Sequence, residues 1–185
     1  MTNSSFATPA QVLDFWFGVD PKKWYAKDDA FDADIRTRFL ATYEAAAAGQ
    51  LADWEAAASD GALALTIVLD QFSRNMFRGS ARTFAADAAA LAVAKHAVER
   101  GFDKQLELKR RNFFYLPFMH SENLADQERC VALSREAGDP NTLKYAELHR
   151  DIIRRFGRFP HRNAVLGRVT TPEEQAFLDA GGFAG

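Results

Sequence analysis

The sequence of 185 residues has only one cysteine, Cys130, and no long run of apolar residues. A single thiol can form neither an intrachain disulfide nor a cysteine-based metal site, which is typical of a protein in a reducing cytoplasm. The longest apolar stretch, residues 62–69, is far too short to cross a bilayer, and no signal peptide is predicted at residues 1–8. We therefore expect a soluble, cytoplasmic protein that has no membrane partner.

Motifs that would indicate a common class of enzyme are also missing. The chain has no glycine-rich dinucleotide loop, no nucleotide-phosphate loop, no His-Glu-x-x-His pair and no Gly-x-Ser-x-Gly elbow, so no cofactor is expected. The net charge of −2 argues against a nucleic-acid partner. Nothing in the sequence specifies an oligomeric state.

The charge is nevertheless distributed unevenly along the chain. Residues 1–60 hold ten acidic and five basic residues, whereas residues 104–168 hold eight acidic and thirteen basic ones. Segments of opposite sign can attract each other within the fold, and the basic segment can also receive an anionic ligand. Both interpretations stay open at this stage.

Helix start and stop signals divide the chain into about eight helices. Capping-box patterns begin at Thr8 and at Thr171, each followed by proline, and no segment alternates apolar and polar residues as a strand does. We predict an all-α fold of antiparallel helical hairpins in a single domain, 1–185, with a possible soft division near 101–104. The helices are predicted to start near residues 9, 28, 61, 85, 105, 121, 140 and 172.

Polar residues follow the apolar run of the third predicted helix. Asp70 and Arg74 are four residues apart, as are Gln71 and Asn75, so each pair lies on one helical face. Burying such groups is costly unless each finds a partner. One interpretation is a structural ion pair in the core, and the other is one wall of a polar cavity.

A second polar group follows the apolar segment that ends at Met119. His120 and Glu122 could act as general acid and base, or as metal ligands. Alternatively, Ser121 caps the next helix, Glu122 complements the helix dipole, and His120 is a hydrogen-bonded core histidine.

The seventh predicted helix and the loop after it carry a third group. His149 shares one helical face with Tyr145, Ile152 and Phe156, which points its imidazole toward apolar neighbours. The following loop is rich in guanidinium groups, which can hold a carboxylate or phosphate at two points. Alternatively, these arginines pair with acidic residues or cap helices. The predicted ligand-binding residues here are Arg155, Arg158, His161, Arg162 and Asn163.

Metal binding is not predicted for these groups. His120, Glu122, His149 and His161 together match no ligand spacing that is typical of a metal site.

Four longer motifs resemble those of a widespread bacterial family known as domain of unknown function 924. They are Val-Leu-Asp-Phe-Trp-Phe at 12–17, Leu-Asp-Gln-Phe-Ser-Arg-Asn at 69–75, the segment 115–122 and the segment 155–163. The resemblance covers about residues 9–183. It implies a tetratricopeptide-like helical superhelix and carries no established activity, so no catalytic roles transfer with it.

Two functional hypotheses follow from the polar groups. The first is a binding module whose Arg- and His-lined pocket takes a small anionic ligand or a peptide, with Arg74 and Asn75 contributing to the pocket beside the loop residues. A structural protein without a ligand is a further possibility.

The second hypothesis is an enzyme that performs hydrolase-like acid/base chemistry on a small anionic substrate. His120 or His149 would be the general acid/base, and Asp70 or Glu122 would be the carboxylate that orients it. This hypothesis requires the imidazoles and a carboxylate to meet in one enclosed pocket.

Overall fold

The computed structural model describes residues 6–183, and that part of the chain is helical and contains no β-strand. The all-α class predicted from the sequence is confirmed, whereas the tetratricopeptide-like superhelix stays a prediction. Short 3-10 turns connect several of the helices. The α-helices are α1 (Pro9–Gly18), α2 (Asp29–Ala47), α3 (Ala52–Ala57), α4 (Ser59–Thr66), α5 (Ser73–Met76), α6 (Asp87–Glu99), α7 (Leu108–His120), α8 (Leu124–Ala137), α9 (Pro140–Phe156) and α10 (Pro172–Asp179).

The chain packs as two compact units. Unit 1 comprises the described residues up to Arg78 together with Arg82–Pro117, and unit 2 comprises Gly79–Ala81 and the described residues from Phe118 onward. The division lies within α7, which continues past Pro117 to His120, so the proline does not end this helix. The single domain with a soft division near 101–104 stays a prediction.

Unit 1 is built around aromatic rings. Trp16 of α1 is fully buried, and its ring lies 5.6–6.2 Å from those of Trp24, Phe31, Phe72 and Phe113. Aromatic pairs at such separations contribute about 0.5–1.5 kcal/mol each beyond the burial of their area. The predicted capping box at the start of α1 is present, so neighbouring residues in the sequence determine where this helix begins.

The sequence analysis missed α3 because it is short and Ala-rich. Its packing depends on Gly61 of α4, where a Cβ atom would lie 2.1 Å from the backbone oxygen of Trp54. No other residue fits this approach without moving one of the two helices. Gly61 was interpreted from the sequence as a helix start, whereas α4 already begins at Ser59.

A π-helical segment, Ile67–Phe72, joins α4 to α5 in one continuous helical stretch. It contains the buried residues Asp70 and Gln71, which were predicted to lie on a regular α-helix. Insertions of this kind widen the helix by one residue and often occur at functional sites.

Unit 2 contains the α8–α9 hairpin and α10. The prediction that Ser121 caps α8 is wrong, because the side chain of Asn123 accepts the hydrogen bonds from the N–H groups of Ala125 and Asp126. The Ser121 hydroxyl donates to Asp126 instead, at 2.8 Å. The predicted caps of α9 and α10, Asp139 and Thr171, are confirmed.

Candidate functional site

The polar residues of the third predicted helix form an ion-pair network within unit 1. The guanidinium of Arg74 donates to both carboxylate oxygens of Asp87, at 2.9 and 3.1 Å, and lies 3.2 Å from a carboxylate oxygen of Asp70. It also donates to the backbone oxygen of Asp70, at 2.7 Å. The second carboxylate oxygen of Asp70 accepts from the Gln71 amide. Burial opposes the charge of Arg74, but the two carboxylates outweigh it and raise the pKa of the guanidinium.

Asn75 is engaged in the same way. Its amide donates to Asp32 of α2 at 2.7 Å, and Arg78 pairs with the same carboxylate. Asp70, Arg74 and Asn75 therefore tie the elements of unit 1 together. The geometry favours the structural interpretation that the sequence analysis left open for them.

A cleft of about 510 Å³ opens on unit 1 between α1 and α2. None of the residues predicted to form a site lines it. Its walls are formed by Phe6, Ala7, Gln11, Asp14, Phe15, Arg38 and Phe39.

Unit 2 brings together most of the other predicted residues in what we call the imidazole cluster. Its members come from the end of α7, the connection between α7 and α8, the middle of α9 and the segments that follow α9 and α10. Burial is the main cause that lowers the pKa of His149, and the charges of His120 and His161 act in the same direction, so the three imidazoles lie near one another. The cluster consists of His120, Glu122, His149, Phe159, His161, Arg162, Arg168 and Phe183.

Four rings form the centre of the imidazole cluster. The ring of His149 lies 5.5 Å from that of Phe159 and 4.4 Å from that of Phe183. The ring of His161 lies 5.6 Å from Phe159 and 5.4 Å from Phe183. Each imidazole therefore contacts both phenylalanines, and each phenylalanine bridges both imidazoles.

Two arginines and one carboxylate surround these rings. Arg168 donates to both carboxylate oxygens of Glu122, at 2.7 and 3.0 Å, and the backbone N–H of Phe159 donates to Glu122 at 2.8 Å. Arg162 donates to the backbone oxygen of His120 at 2.9 Å and stacks on Phe159, 4.6 Å from the ring centre.

Glu122 is held as a carboxylate rather than poised to exchange a proton. Burial alone would raise its pKa, but the hydrogen bonds from Arg168 and from the Phe159 N–H outweigh burial and lower it. Both of its oxygens are occupied. The side chain anchors the segment at Phe159, and its effect on the dipole of the next helix stays a prediction.

The two central histidines are neutral at physiological pH. Burial lowers the pKa of both His149 and His161 to about 4, and for His161 the charge of Arg162 acts in the same direction. The Nδ1–H of His149 donates to the backbone oxygen of Tyr145 at 2.7 Å, which orients the ring and leaves Nε2 with a lone pair.

His161 presents a buried atom that no protein group satisfies. Its Nδ1 is shielded from solvent and has no hydrogen-bond partner. Buried polar atoms are almost always paired, so such an atom in a cluster of charged and titratable groups indicates a position where a ligand or water completes the hydrogen bonding. The indole N–H of Trp16 in unit 1 is also unpaired, but it lies among aromatic rings.

The remaining loop residues pair with α10. Arg158 donates to both oxygens of Glu174, at 2.6 and 2.8 Å, and Asn163 donates to the same carboxylate at 3.1 Å. The hydrogen bond from Arg158 is the main reason that the pKa of Glu174 falls to about 2. Arg155 forms an exposed ion pair with Glu173, at 3.0 Å. Arg158 and Asn163 thus hold the loop to α10, and Arg155 links the last turn of α9 to α10.

Comparison with known families identifies the chain. The profile of the family described as "Bacterial protein of unknown function (DUF924)" matches residues 12–182. The chain belongs to this family. The resemblance noted in the sequence is thereby confirmed.

The fold of this DUF924 protein is shared by a solved structure, that of the protein of unknown function ATU0120 from Agrobacterium tumefaciens. The two chains are 45% identical and superpose with a TM-score of 0.90, over 94% of this chain and 97% of the other. Curated proteins give no match.

Sequence reasoning missed three members of the imidazole cluster. Phe159 and Phe183 look like core residues in the sequence, and Arg168 lies outside the motif at 155–163. The signal that could have located Phe183 is the pair Gly181-Gly182, which predicts a helix stop that redirects the chain.

Two further structural findings concern the part of this family member that spans residues 6–183. No three or more of its His, Cys, Asp and Glu side chains are grouped in a way that could hold a metal ion. Nor does any helix within it have both the length and the apolar character needed to span a bilayer.

Proposed function

We propose that this protein is a binding module and that its imidazole cluster takes a small anionic ligand. The observation that carries the proposal is the buried, unpaired Nδ1 of His161 within a cluster that brings together five residues singled out from the sequence. Those residues are His120, Glu122, His149, His161 and Arg162.

The charge of the cluster supports an anion. Besides burial, which lowers the pKa of His161 most, the charges of Arg162 and Arg168 lower it further, and only the charge of Glu122 opposes them. The guanidinium of Arg162 lies over the Phe159 ring, and guanidinium groups bind carboxylates and phosphates.

The neutral imidazoles would let the site bind some kinds of anion more tightly than others. A neutral ring offers one N–H donor and one lone pair, so it can hydrogen-bond to an acid oxygen without adding a second full charge. Because His149 uses its Nδ1–H on Tyr145, its Nε2 can only accept, which suits a ligand with a hydroxyl or a protonated oxygen.

A thermal-shift screen against carboxylated and phosphorylated metabolites tests the proposal. We expect at least one class to stabilise the wild-type protein, and we expect His161→Leu to remove that stabilisation. His96→Leu is the matched control, because His96 is an exposed histidine of unit 1 that pairs with Glu55. Equal stabilisation of all three proteins would place the ligand elsewhere.

An enzyme with acid/base chemistry is the second candidate, and one observation favours it. The hydrogen bond from His149 Nδ1 to a backbone oxygen is the arrangement that presents Nε2 as a general base. One observation argues against it. The contacts of His149 include no carboxylate that could orient the ring, because Glu122 pairs with Arg168 and Asp70 pairs with Arg74. Turnover that rises with an apparent pKa near 4 and is lost in His149→Asn would support this candidate.

A further inference from the structure

The cleft between α1 and α2, which lies within unit 1, has walls of a different chemistry from those of the imidazole cluster. Its volume of about 510 Å³ is in the range of roughly 300–1,000 Å³ that is typical of small-molecule sites. The rings of Phe6, Phe15 and Phe39 line it, together with a few polar side chains. Apolar walls that carry a small number of polar groups are the usual composition of a ligand pocket.

The walls of this cleft are held in place by the rest of unit 1. The backbone N–H of Ala7 donates to the hydroxyl of Thr42 at 3.0 Å, which fastens the segment before α1 to α2. The ring of Phe15 lies 5.0 Å from that of Phe39, and these two rings lie 6.1 and 4.7 Å from that of Phe72. Phe72 is the last residue of the π-helical segment, and such segments often occur at functional sites. The cleft is therefore preformed and packs on an irregular part of the fold.

Two of the residues that line the cleft carry a charge, and they differ in how that charge is matched. The guanidinium of Arg38 donates to Asp34 at 2.6 Å, one helical turn away. The carboxylate of Asp14 is exposed, and no group among residues 6–183 forms a hydrogen bond or an ion pair with it. The unmatched charge at the cleft is thus negative, so it attracts a cation and repels an anion.

The aromatic walls favour an organic cation over a metal ion. Cations are attracted to the face of an aromatic ring within about 6 Å of its centre. Arg38 already makes such a contact, because its guanidinium carbon lies 5.4 Å from the centre of the Phe15 ring. A hard metal ion needs several oxygen ligands, whereas the described lining residues include one carboxylate, that of Asp14. A ligand that joins an ammonium group to an apolar body uses both the carboxylate and the rings.

We infer that the cleft between α1 and α2 is a second binding site, which takes a small primary amine with an apolar body. The ammonium group pairs with Asp14, and the apolar body packs against Phe6 and Phe15. This inference goes beyond the proposed function, because it concerns the other unit of the molecule and a ligand of opposite charge.

Phenethylamine, phenethyl alcohol and hydrocinnamate are the probes that test it. They share a phenyl ring on a short chain, and at neutral pH they carry a positive charge, no charge and a negative charge. Dissociation constants are measured by calorimetry at low ionic strength, and the backbone amide signals of Ala7 and Phe15 are followed by NMR. We expect the wild type to bind the amine about tenfold more tightly than the alcohol, and hydrocinnamate most weakly. Binding of the amine should shift both amide signals.

Asp14→Asn removes the charge and keeps the shape of the side chain. We expect its affinity for phenethylamine to fall about tenfold, to that for the alcohol, while its affinity for the alcohol stays as in the wild type. Asp53→Asn is the matched control, because Asp53 is also an exposed aspartate of unit 1 but does not line the cleft. It should change neither affinity.

Phe6→Ala tests the aromatic wall independently of the charge. The Phe6 side chain is 38% exposed, so the variant should fold, and the loss of its ring should weaken binding of the amine and of the alcohol alike, by about fivefold. Leu108→Ala is the control, because Leu108 has the same exposure of 38% and lies outside the cleft. It should leave both affinities unchanged.

The outcomes distinguish this site from the imidazole cluster. Absence of amine binding, equal affinities of the wild type for the amine and the alcohol, or an equal loss in Asp14→Asn and Asp53→Asn would overturn the inference. Amine binding that shifts the signals of His149 and His161 instead of those of Ala7 and Phe15 would overturn it too. The anionic ligand proposed for the imidazole cluster is tested by its own screen and stands or falls separately.

Discussion

The polar network of unit 1 and the imidazole cluster of unit 2 both place charged groups beside aromatic rings, but they differ in how those groups are satisfied. In unit 1, Arg74 is matched by two carboxylates, and Asn75 and Arg78 share a third. In unit 2, two buried imidazoles stay neutral, and one of them has a buried nitrogen without a partner.

The difference separates a network that serves the architecture from the cluster that we propose as the site. A network whose members use each other holds helices in place and leaves nothing for a ligand. A cluster that keeps neutral titratable groups and an unsatisfied buried atom has the features that we expect of a binding site. The strongest sequence signal, the run around Asp70, thus belongs to the first kind, and the weaker signal around His149 belongs to the second.

The largest effect is expected from Arg74→Ala. The substitution leaves the buried carboxylates of Asp70 and Asp87 without their cation, so the free energy of unfolding should fall by about 3–5 kcal/mol. Chemical denaturation measures the loss. Arg38→Ala is the control, because its ion pair with Asp34 has the same four-residue spacing but is exposed, and it should cost less than about 1 kcal/mol. Similar losses for both variants would show that the buried network of Arg74 stabilises the fold no more than an exposed ion pair does.

The buried state of His149 predicts a dependence of stability on pH. Its pKa is about 4 in the folded protein and 6.5 ordinarily, so between these values the unfolded chain binds more protons. Its contribution is complete above pH 6.5 and is lost as the pH falls toward 4, by on the order of 3 kcal/mol. Denaturation at pH 7 and pH 5 measures the slope.

His149→Asn should reduce the slope of this pH dependence, because the amide can still donate to Tyr145 but does not titrate, whereas His161, whose pKa is also lowered to about 4, keeps its own contribution. His96→Asn, at an exposed position, should leave the slope as it is in the wild type. A wild-type slope in His149→Asn would show that the histidine is not buried in its neutral form.

The fold was largely predictable because its helix ends depend on local residues. Thr8, Asp139 and Thr171 each cap a helix through neighbours three or fewer residues away, so the pattern is visible in the sequence. The π-helical segment was not predictable, since its extra residue is accommodated by packing around Asp70. The shift of the α8 cap from Ser121 to Asn123 arises for a similar reason, because Ser121 is recruited by Asp126.

The candidate site was predictable only in part. The types of residue were visible, and five of them do meet in unit 2. How these arginines are engaged depends on partners distant in the chain: Arg158 pairs with Glu174, and Arg168 pairs with Glu122. No periodicity in the sequence records those partners.

A smaller effect is expected from Arg168→Ala. It removes two hydrogen bonds from the half-buried carboxylate of Glu122, so unfolding should become easier by about 1–3 kcal/mol. Arg154→Ala, which breaks an exposed pair with Glu128, should cost less than about 1 kcal/mol. The comparison is made by chemical denaturation, and a loss in Arg168→Ala no greater than that in the control would mean that Glu122 is solvated rather than anchored.

The smallest effect on stability is expected from Arg155→Ala. This substitution nevertheless tests most directly a residue for which the sequence prediction and the structure suggest different roles. The sequence analysis placed Arg155 and Arg162 together as ligand-binding residues. In the structure Arg155 pairs with Glu173 at an exposed position, so its loss should cost less than about 1 kcal/mol and leave the affinity for acids unchanged. Arg162→Ala should abolish that affinity, because its guanidinium lies over Phe159 in the imidazole cluster, where we propose that the acid binds. Calorimetry with benzoate and acetate on the two variants decides the matter: a loss of binding in Arg155→Ala equal to that in Arg162→Ala would move the site out to the surface of α9 and α10.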